Sequence, residues 1–225
     1  MIHTRSLLFA ALLPLFAGCQ LFQVYDATPP TPTQRLQGQL TLEQDRLILQ
    51  PCGEQRRIAL VNDDNSSELM RDAGELLADG NASLFVDLRG WPAATRQPDL
   101  DGELRLAQTY RLQGEGPACH EPGFDRLLLR ASGHEPDWVL GVAEQGLVLL
   151  RPGLEPLAVP YLEERLPNGS FSLSSEANGQ RLELWLAPQR CVDSMSGSVQ
   201  HLSAELRLNG SVQRGCASFG GARSR

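Results

Sequence analysis

Ser66-Ser-Glu-Leu-Met-Arg-Asp-Ala-Gly-Glu-Leu-Leu-Ala78, then Asp79-Gly80-Asn81, then Ala82-Ser-Leu-Phe-Val-Asp-Leu-Arg89: across this stretch the hydrophobic period changes, and the change decides the fold. Leu69, Met70, Ala73, Leu76 and Leu77 recur at helical spacing. Asn65, with Glu68 three residues later, has the form of an N-terminal cap, and Asp79-Gly80-Asn81 stops the helix. From Ala82 to Arg89 the composition returns to that of a strand. Upstream, Leu36 to Glu43 alternates, with Leu36, Gly38, Leu40 and Leu42 on one face. Arg46-Leu-Ile-Leu-Gln50 follows a Gln44-Asp45 turn, and Arg57-Ile-Ala-Leu-Val61 reads as a third strand. Downstream, Gly102 to Leu112 alternates again through Leu104, Leu106, Tyr110 and Leu112.

The order is therefore β-β-β-α-β-β over residues 36–119. This is the order of the OB-fold, a small five-stranded Greek-key barrel with a helix between its third and fourth strands. Phe85 is expected in the barrel core. The region's aromatics are sparse (Phe85, Trp91, Tyr110), so its strands lack the basic and aromatic face that single-stranded nucleic acid needs. The formal net charge of −7 argues against nucleic acid as a partner in the same direction. All the basic residues are Arg, so no lysine is available as a Schiff-base former or general base.

Residues 120–225 form a second antiparallel β-domain. Pro117 to Gly123 reads as the junction, and short strands follow at Phe124–Ser132, Trp138–Val142, Leu147–Arg151, Ser170–Ser174, Arg181–Leu186 and Leu202–Leu208. Asn168-Gly169, Asn178-Gly179 and Asn209-Gly210 are hairpin turn signals. No helical pattern competes, so the fold class is mainly β: an OB-like barrel with one helix, plus an antiparallel barrel or sandwich.

Residues 1–18 have the parts of a secretory signal: Arg5, an apolar run from Leu7 to Phe16, and the small pair Ala17-Gly18. The run is too short to span a bilayer as a mature helix. Cys19 directly after Ala-Gly resembles a bacterial lipobox, whose thiol receives a diacylglyceryl group. The resemblance implies anchoring by acyl lipid, and Gln20 in place of Asp implies the periplasmic face of the outer membrane. Residues 19–35, with Pro29, Pro30 and Pro32, read as an extended tether. The other cysteines, Cys52, Cys119, Cys191 and Cys216, are even in number in an oxidising compartment. Four cysteines allow three pairings. Cys52–Cys119 and Cys191–Cys216 are preferred because each closes within one half of the chain. A thiol-rich metal site is the alternative, but no Cys-x-x-Cys is present.

The segment Gly38-x-Leu-x-Leu…Leu47-x-Leu-x-Pro-Cys52, the helix, Leu84-Phe-Val-Asp-Leu-Arg-Gly90 and the Tyr110-Arg-Leu strand together resemble the OB-type domain of NlpE-related envelope lipoproteins. That family is associated with envelope-stress sensing, copper homeostasis and adhesion. The Cys-x-x-Cys domain involved in those roles is missing here, so copper binding is not carried over. Gly133-His-Glu-Pro-Asp-Trp138 and Cys191-Val-Asp-Ser-Met-Ser-Gly197, with Gly215-Cys216, resemble a Gram-negative envelope family without an established activity. In that family Gly-x-Glu-Pro-x-Trp opens a small β-domain and Cys-x-Asp-x-Met-Ser-Gly leads to a closing Gly-Cys. The likeness to META/HslJ-type envelope domains is looser.

Within these two stretches, Glu135, Trp138, Asp193, Ser194, Met195, Ser196 and Gly197 are the candidate recognition residues, because loops on a rigid β-scaffold are where binding sites usually sit. Asp193-Ser194 with His201 invites a hydrolase reading, but no Gly-x-Ser-x-Gly elbow is present. Glu121 and Glu135 are considered as paired carboxylates, and His120, His134 and Met195 as metal ligands. Nothing in the sequence places the two carboxylates on a common cleft, and the repeated His-Glu-Pro is better explained as coincidence at loop positions, so no catalytic residue, metal site or cofactor is assigned beyond the lipid on Cys19. The expected function is that of a non-enzymatic binding or envelope-stress and homeostasis module, engaging an envelope protein or small ligand. Inhibition of a cell-wall hydrolase, or hydrolysis by the 191–201 region, are the alternatives.

Overall fold

A computed structural model describes residues 32–116 and 118–224. The signal segment, Cys19 and the tether as far as residue 31 lie outside the described residues. In the first half, β1 (Gln34–Glu43) pairs antiparallel with β2 (Arg46–Pro51), and β2 with β3 (Ile58–Leu60). Helix α1 (Ser67–Ala78) then leads to β4 (Leu84–Ala93), which pairs with β1 and with β5 (Gly102–Gln113). Strand β3 runs parallel to β5 and closes the five-stranded barrel. This is the order expected from the change of period.

The alternation explains the interior. Leu36, Leu40, Leu49, Val86, Leu88 and Leu104 point inward, and α1 plugs one end with Leu69, Ala73 and Leu76. Each fully buried leucine contributes about 1.5–3 kcal/mol. A barrel this narrow must bend its strands sharply. At Gly90, beside a register shift between β4 and β5, an added Cβ would stand 2.4 Å from the Arg105 carbonyl oxygen, so only glycine lets the strands approach this closely.

Several expectations need correcting. Strand β1 begins at Gln34, so Gln34 and Arg35 belong to the barrel rather than to the tether. Leu42 is exposed, because β1 runs past the barrel's end into the Gln44-Asp45 turn. Phe85 is buried but on the outside of the wall, since Leu84, Val86 and Leu88 take the inward positions; the Arg111 guanidinium lies over its ring at 4.7 Å. The Asn65–Glu68 cap does not form. Ser66 occupies the N-cap, and the Asp63 carboxylate accepts from the amides of Asn65 and Ser66 at 3.1 and 3.2 Å. Glu68 instead reaches Arg190 at 3.1 Å.

The second half is a curled antiparallel half-barrel. Its strands are β6 (Leu127–Gly133), β7 (Trp138–Ala143), β8 (Gly146–Leu150), β9 (Leu157–Val159), β10 (Leu162–Arg165), β11 (Phe171–Ala177), β12 (Gln180–Ala187), β13 (Cys191–Val192), β14 (Val199–Gln200), β15 (Leu202–Leu208) and β16 (Ser211–Phe219). Nine of them form one sheet, in the order β10-β11-β12-β15-β16-β6-β7-β8-β9. Trp138, Leu140, Leu149, Leu173, Leu184 and Leu206 fill its inner face. Asn178-Gly179 and Asn209-Gly210 make the β11–β12 and β15–β16 turns with positive φ at both residues, as their sequence requires. Phe124–Arg126 is a 3-10 turn, and the strand expected there starts at Leu127. Strand β16 has no apolar alternation, because its inward positions are Gln213, Gly215 and Ala217.

Residues 191–200 do not stay with their own half. Strand β13 pairs with β14, and β14 adds to β5 of the barrel, where Val199 joins the barrel core. Residues from 32 onward accordingly belong to one compact unit. Both preferred disulfides are present: Cys52–Cys119 fixes the junction to the end of β2, and Cys191–Cys216 ties β13 to β16. The second bridge therefore links strands of two different sheets.

Candidate functional site

A cleft of about 830 Å³ opens where the two motif stretches meet. Its floor is the outer face of β12, β15 and β16, with Trp185, Glu205, Arg207 and Arg214. Its walls are the β6–β7 turn, with His134 and Glu135, and the β13–β14 loop, with Asp193 and Ser194. The Cys191–Cys216 bridge joins wall to floor, and both its cysteines line the cleft.

His134 holds the two walls together. Its Nδ1 lies 2.7 Å from an Asp137 carboxylate oxygen and its Nε2 3.0 Å from one of Asp193. The hydrogen bond to Asp137 does most to raise its pKa above the ordinary value; desolvation opposes the rise, and Asp193 adds to it. The imidazole between two carboxylates is thus favoured as a cation. Burial works against the charge of Asp193. The amides of Ser196 and Met195, the Ser196 hydroxyl and His134 outweigh that, and hold its carboxyl below the usual range. The Asp193 Oδ1 accepts from those amides at 2.8 and 3.1 Å and from the hydroxyl at 2.9 Å. The short polar residue after Val192 therefore builds its own turn, as aspartate does in loops.

The candidate recognition residues separate by position. Glu135, Asp193 and Ser194 line the cleft. Trp138 is a core residue, 1% exposed. Met195 points outward and is 76% exposed. Ser196 braces the Asp193 turn. Gly197, at φ 67°, carries the loop back toward α1 beside Leu76.

The constellations considered for chemistry do not assemble. His201 is turned away from Asp193: its Nδ1 donates to the Tyr110 carbonyl at 3.0 Å, and its ring packs edge-on to Tyr110 and Phe219. Burial pushes its pKa down to about 4, so it is neutral at pH 7. Both nitrogens of His134 are engaged by carboxylates, which leaves none to take a proton from Ser194. Glu121 is not paired with Glu135; it is buried between Arg111, at 2.7 Å, and Arg130. Among the described residues no three His, Cys, Asp or Glu side chains gather as a metal set.

Two features of the cleft lie outside the two motif stretches or their local pattern. Leu182, Leu184 and Leu186 mark the inward face of β12, so Trp185 stands out as a large aromatic on the polar face, a signal the alternation does contain. The Asp193–His134 contact joins residues 59 apart, and no local pattern announces it. Comparison with family models, with curated proteins and with solved structures finds no match for the chain.

Proposed function

We propose that the protein is a lipoprotein, held through diacylglyceryl on Cys19 at the periplasmic face of the outer membrane. Its cleft binds an envelope protein or a small ligand without transforming it. Kinship with the NlpE-related and Gly-x-Glu-Pro-x-Trp envelope families is part of this reading. The address rests on the Ala17-Gly18-Cys19-Gln20 segment behind an apolar leader, and disulfides suit the oxidising compartment it implies. A diacylglyceryl group supplies two chains, and two signals are what stable anchoring takes.

The observation that carries the binding role is the convergence of the two motif stretches on one cleft with rigid walls. A site pre-formed by a disulfide and a charged clamp loses little entropy when a ligand enters. Photo-crosslinking in whole envelopes tests it. A benzophenone side chain at Ser194 in the full lipidated chain is expected to give an adduct identifiable by mass spectrometry. The same group at exposed Met195, outside the cleft lining, is the control. Equal adducts at both positions, or a hydrolytic activity of the pure protein lost in Ser194→Ala, would overturn the reading.

A further inference from the structure

Resting on the binding reading above, we infer that the cleft belongs to a longer groove that takes an extended, uncharged oligosaccharide, with Trp185 as the stacking platform. Trp185 lines the cleft of about 830 Å³ and also a second cavity of about 600 Å³ on the β10–β12 side of the same sheet face. The register makes the groove continuous. Glu164, Ser172, Trp185, Glu205 and Arg214 are successive partners across β10, β11, β12, β15 and β16. Strands about 4.8 Å apart give this row a length of about 19 Å. That length suits an oligomer rather than a single sugar.

The chemistry along the row selects the ligand class. An indole serving only to pack is buried, as Trp138 is at 1%, whereas Trp185 keeps 39% of its surface open. Its orientation is nonetheless fixed: Nε1 donates to Glu183 at 3.2 Å, and the Arg207 guanidinium lies over one face of the ring, 5.0 Å from its centroid, so a ligand stacks on the opposite face. The apolar C–H face of a pyranose carries slight positive charge and suits the negative face of such a ring. Ser172, the row partner on one side, is small and leaves the ring edge room.

The charged groups beside the indole are of both signs and are engaged with one another. Arg207 meets Glu205 at 2.7 Å, Arg214 meets the same carboxylate at 3.5 Å, and Arg181 meets Glu183 at 2.9 Å. An anionic or cationic ligand would have to displace these pairs. Uncharged hydroxyls can instead use the lone pairs and N–H groups that each planar pair leaves over. A groove lined by planar polar groups of both signs, with one stacking ring, therefore fits a neutral glycan better than a ligand of a single charge, which would meet groups of its own sign along the row.

Tryptophan fluorescence reads this directly. Trp91→Phe in the full lipidated chain, in a zwitterionic detergent without sugar headgroups, leaves buried Trp138 and Trp185 as reporters. Titration with the uncharged tetramer of N-acetylglucosamine, and separately with maltotetraose, is expected to give a saturable change with at least one. Trp185→Phe should weaken binding severalfold and Trp185→Ala at least tenfold, read by calorimetry because the reporter is lost. Unchanged melting temperature in both variants would show that the loss is not unfolding. No saturable response to either oligosaccharide, or equal affinity in Trp185→Ala, would overturn the glycan assignment. If a photo-adduct at Ser194 still forms in that case, the binding cleft stands and only its ligand class falls.

Discussion

Two of the fastenings between the barrel and the half-barrel are built from opposite materials. At the first, Arg35 of β1 meets Asp87 of β4 through two hydrogen bonds of 2.7 and 2.6 Å, with side chains 9% and 1% exposed. The same guanidinium donates to the carbonyls of Phe219 and Gly220 at the end of β16 and lies 4.3 Å over the Tyr110 ring. At the second, a partly exposed imidazole bridges two carboxylates beside a disulfide. One joint is a buried ion pair; the other is partly exposed and holds a histidine. The difference is one of place: the ion-pair joint is buried between the sheets, and the histidine joint forms the wall of the cleft.

Breaking the ion-pair joint is expected to have the largest effect. Asp87→Ala leaves the Arg35 guanidinium in a buried site without its counter-charge, and removing one partner of a buried pair costs about 3–5 kcal/mol. Urea unfolding at pH 7 should show a lower midpoint with an unchanged slope. Arg35→Met with Asp87→Leu should recover much of the loss, because it removes both charges together. A fall of less than about 1 kcal/mol in Asp87→Ala would place the joint among ordinary surface pairs and erase the contrast.

Opening the second joint comes next. Cys191 and Cys216 are 25 residues apart, and closing a loop of this order contributes about 3 kcal/mol on the chain-entropy account. Cys191→Ser with Cys216→Ser should lower stability by about that amount. It should also free the β13–β14 segment from the cleft floor, so that the Ser194 photo-adduct weakens while Asp87→Ala spares it. If the disulfide variant kept a full adduct, the bridge would be a stability element alone.

The same contrast explains what the sequence discloses. The barrel was legible because Leu36, Leu40, Leu47, Leu49, Leu84, Val86 and Leu88 sit at strand spacing around one helical stretch. A single period change therefore carried the whole order. The joints were not legible. Arg35 stands where the sequence reads as a tether, and its partners lie 52 and about 185 residues away. Strands β13 and β14 have two residues each, too few for any period to register. The face of Phe85 is not readable from alternation, because a wall covered on both sides buries both parities of β4. At the cleft, Asp193 and Ser194 are legible as a turn, while Trp138, of the same motif as Glu135, belongs to the core.

The smallest effect sharpens the contrast most, because it has a sign. His201 lies at the seam between the sheets and His134 at the cleft wall, and their pKa values move in opposite directions. His201 has a folded value of about 4 against an ordinary 6.5, so the unfolded chain binds the extra proton. Its contribution is present above pH 6.5 and lost as pH falls from there toward 4. For His134 the folded value is raised, so the folded chain binds the extra proton. Its contribution is fully present below pH 6.5 and lost as pH rises through the raised value. Urea midpoints measured from pH 4 to pH 9 should therefore fall steeply on the acid side and shallowly on the alkaline side. His134→Gln should flatten the alkaline limb and leave the acid limb in place. Solvent screening at a half-open side chain keeps the alkaline limb small. An alkaline limb identical in His134→Gln and the unaltered protein would mean that His134 does not clamp the cleft wall, and the second joint would then be the disulfide alone.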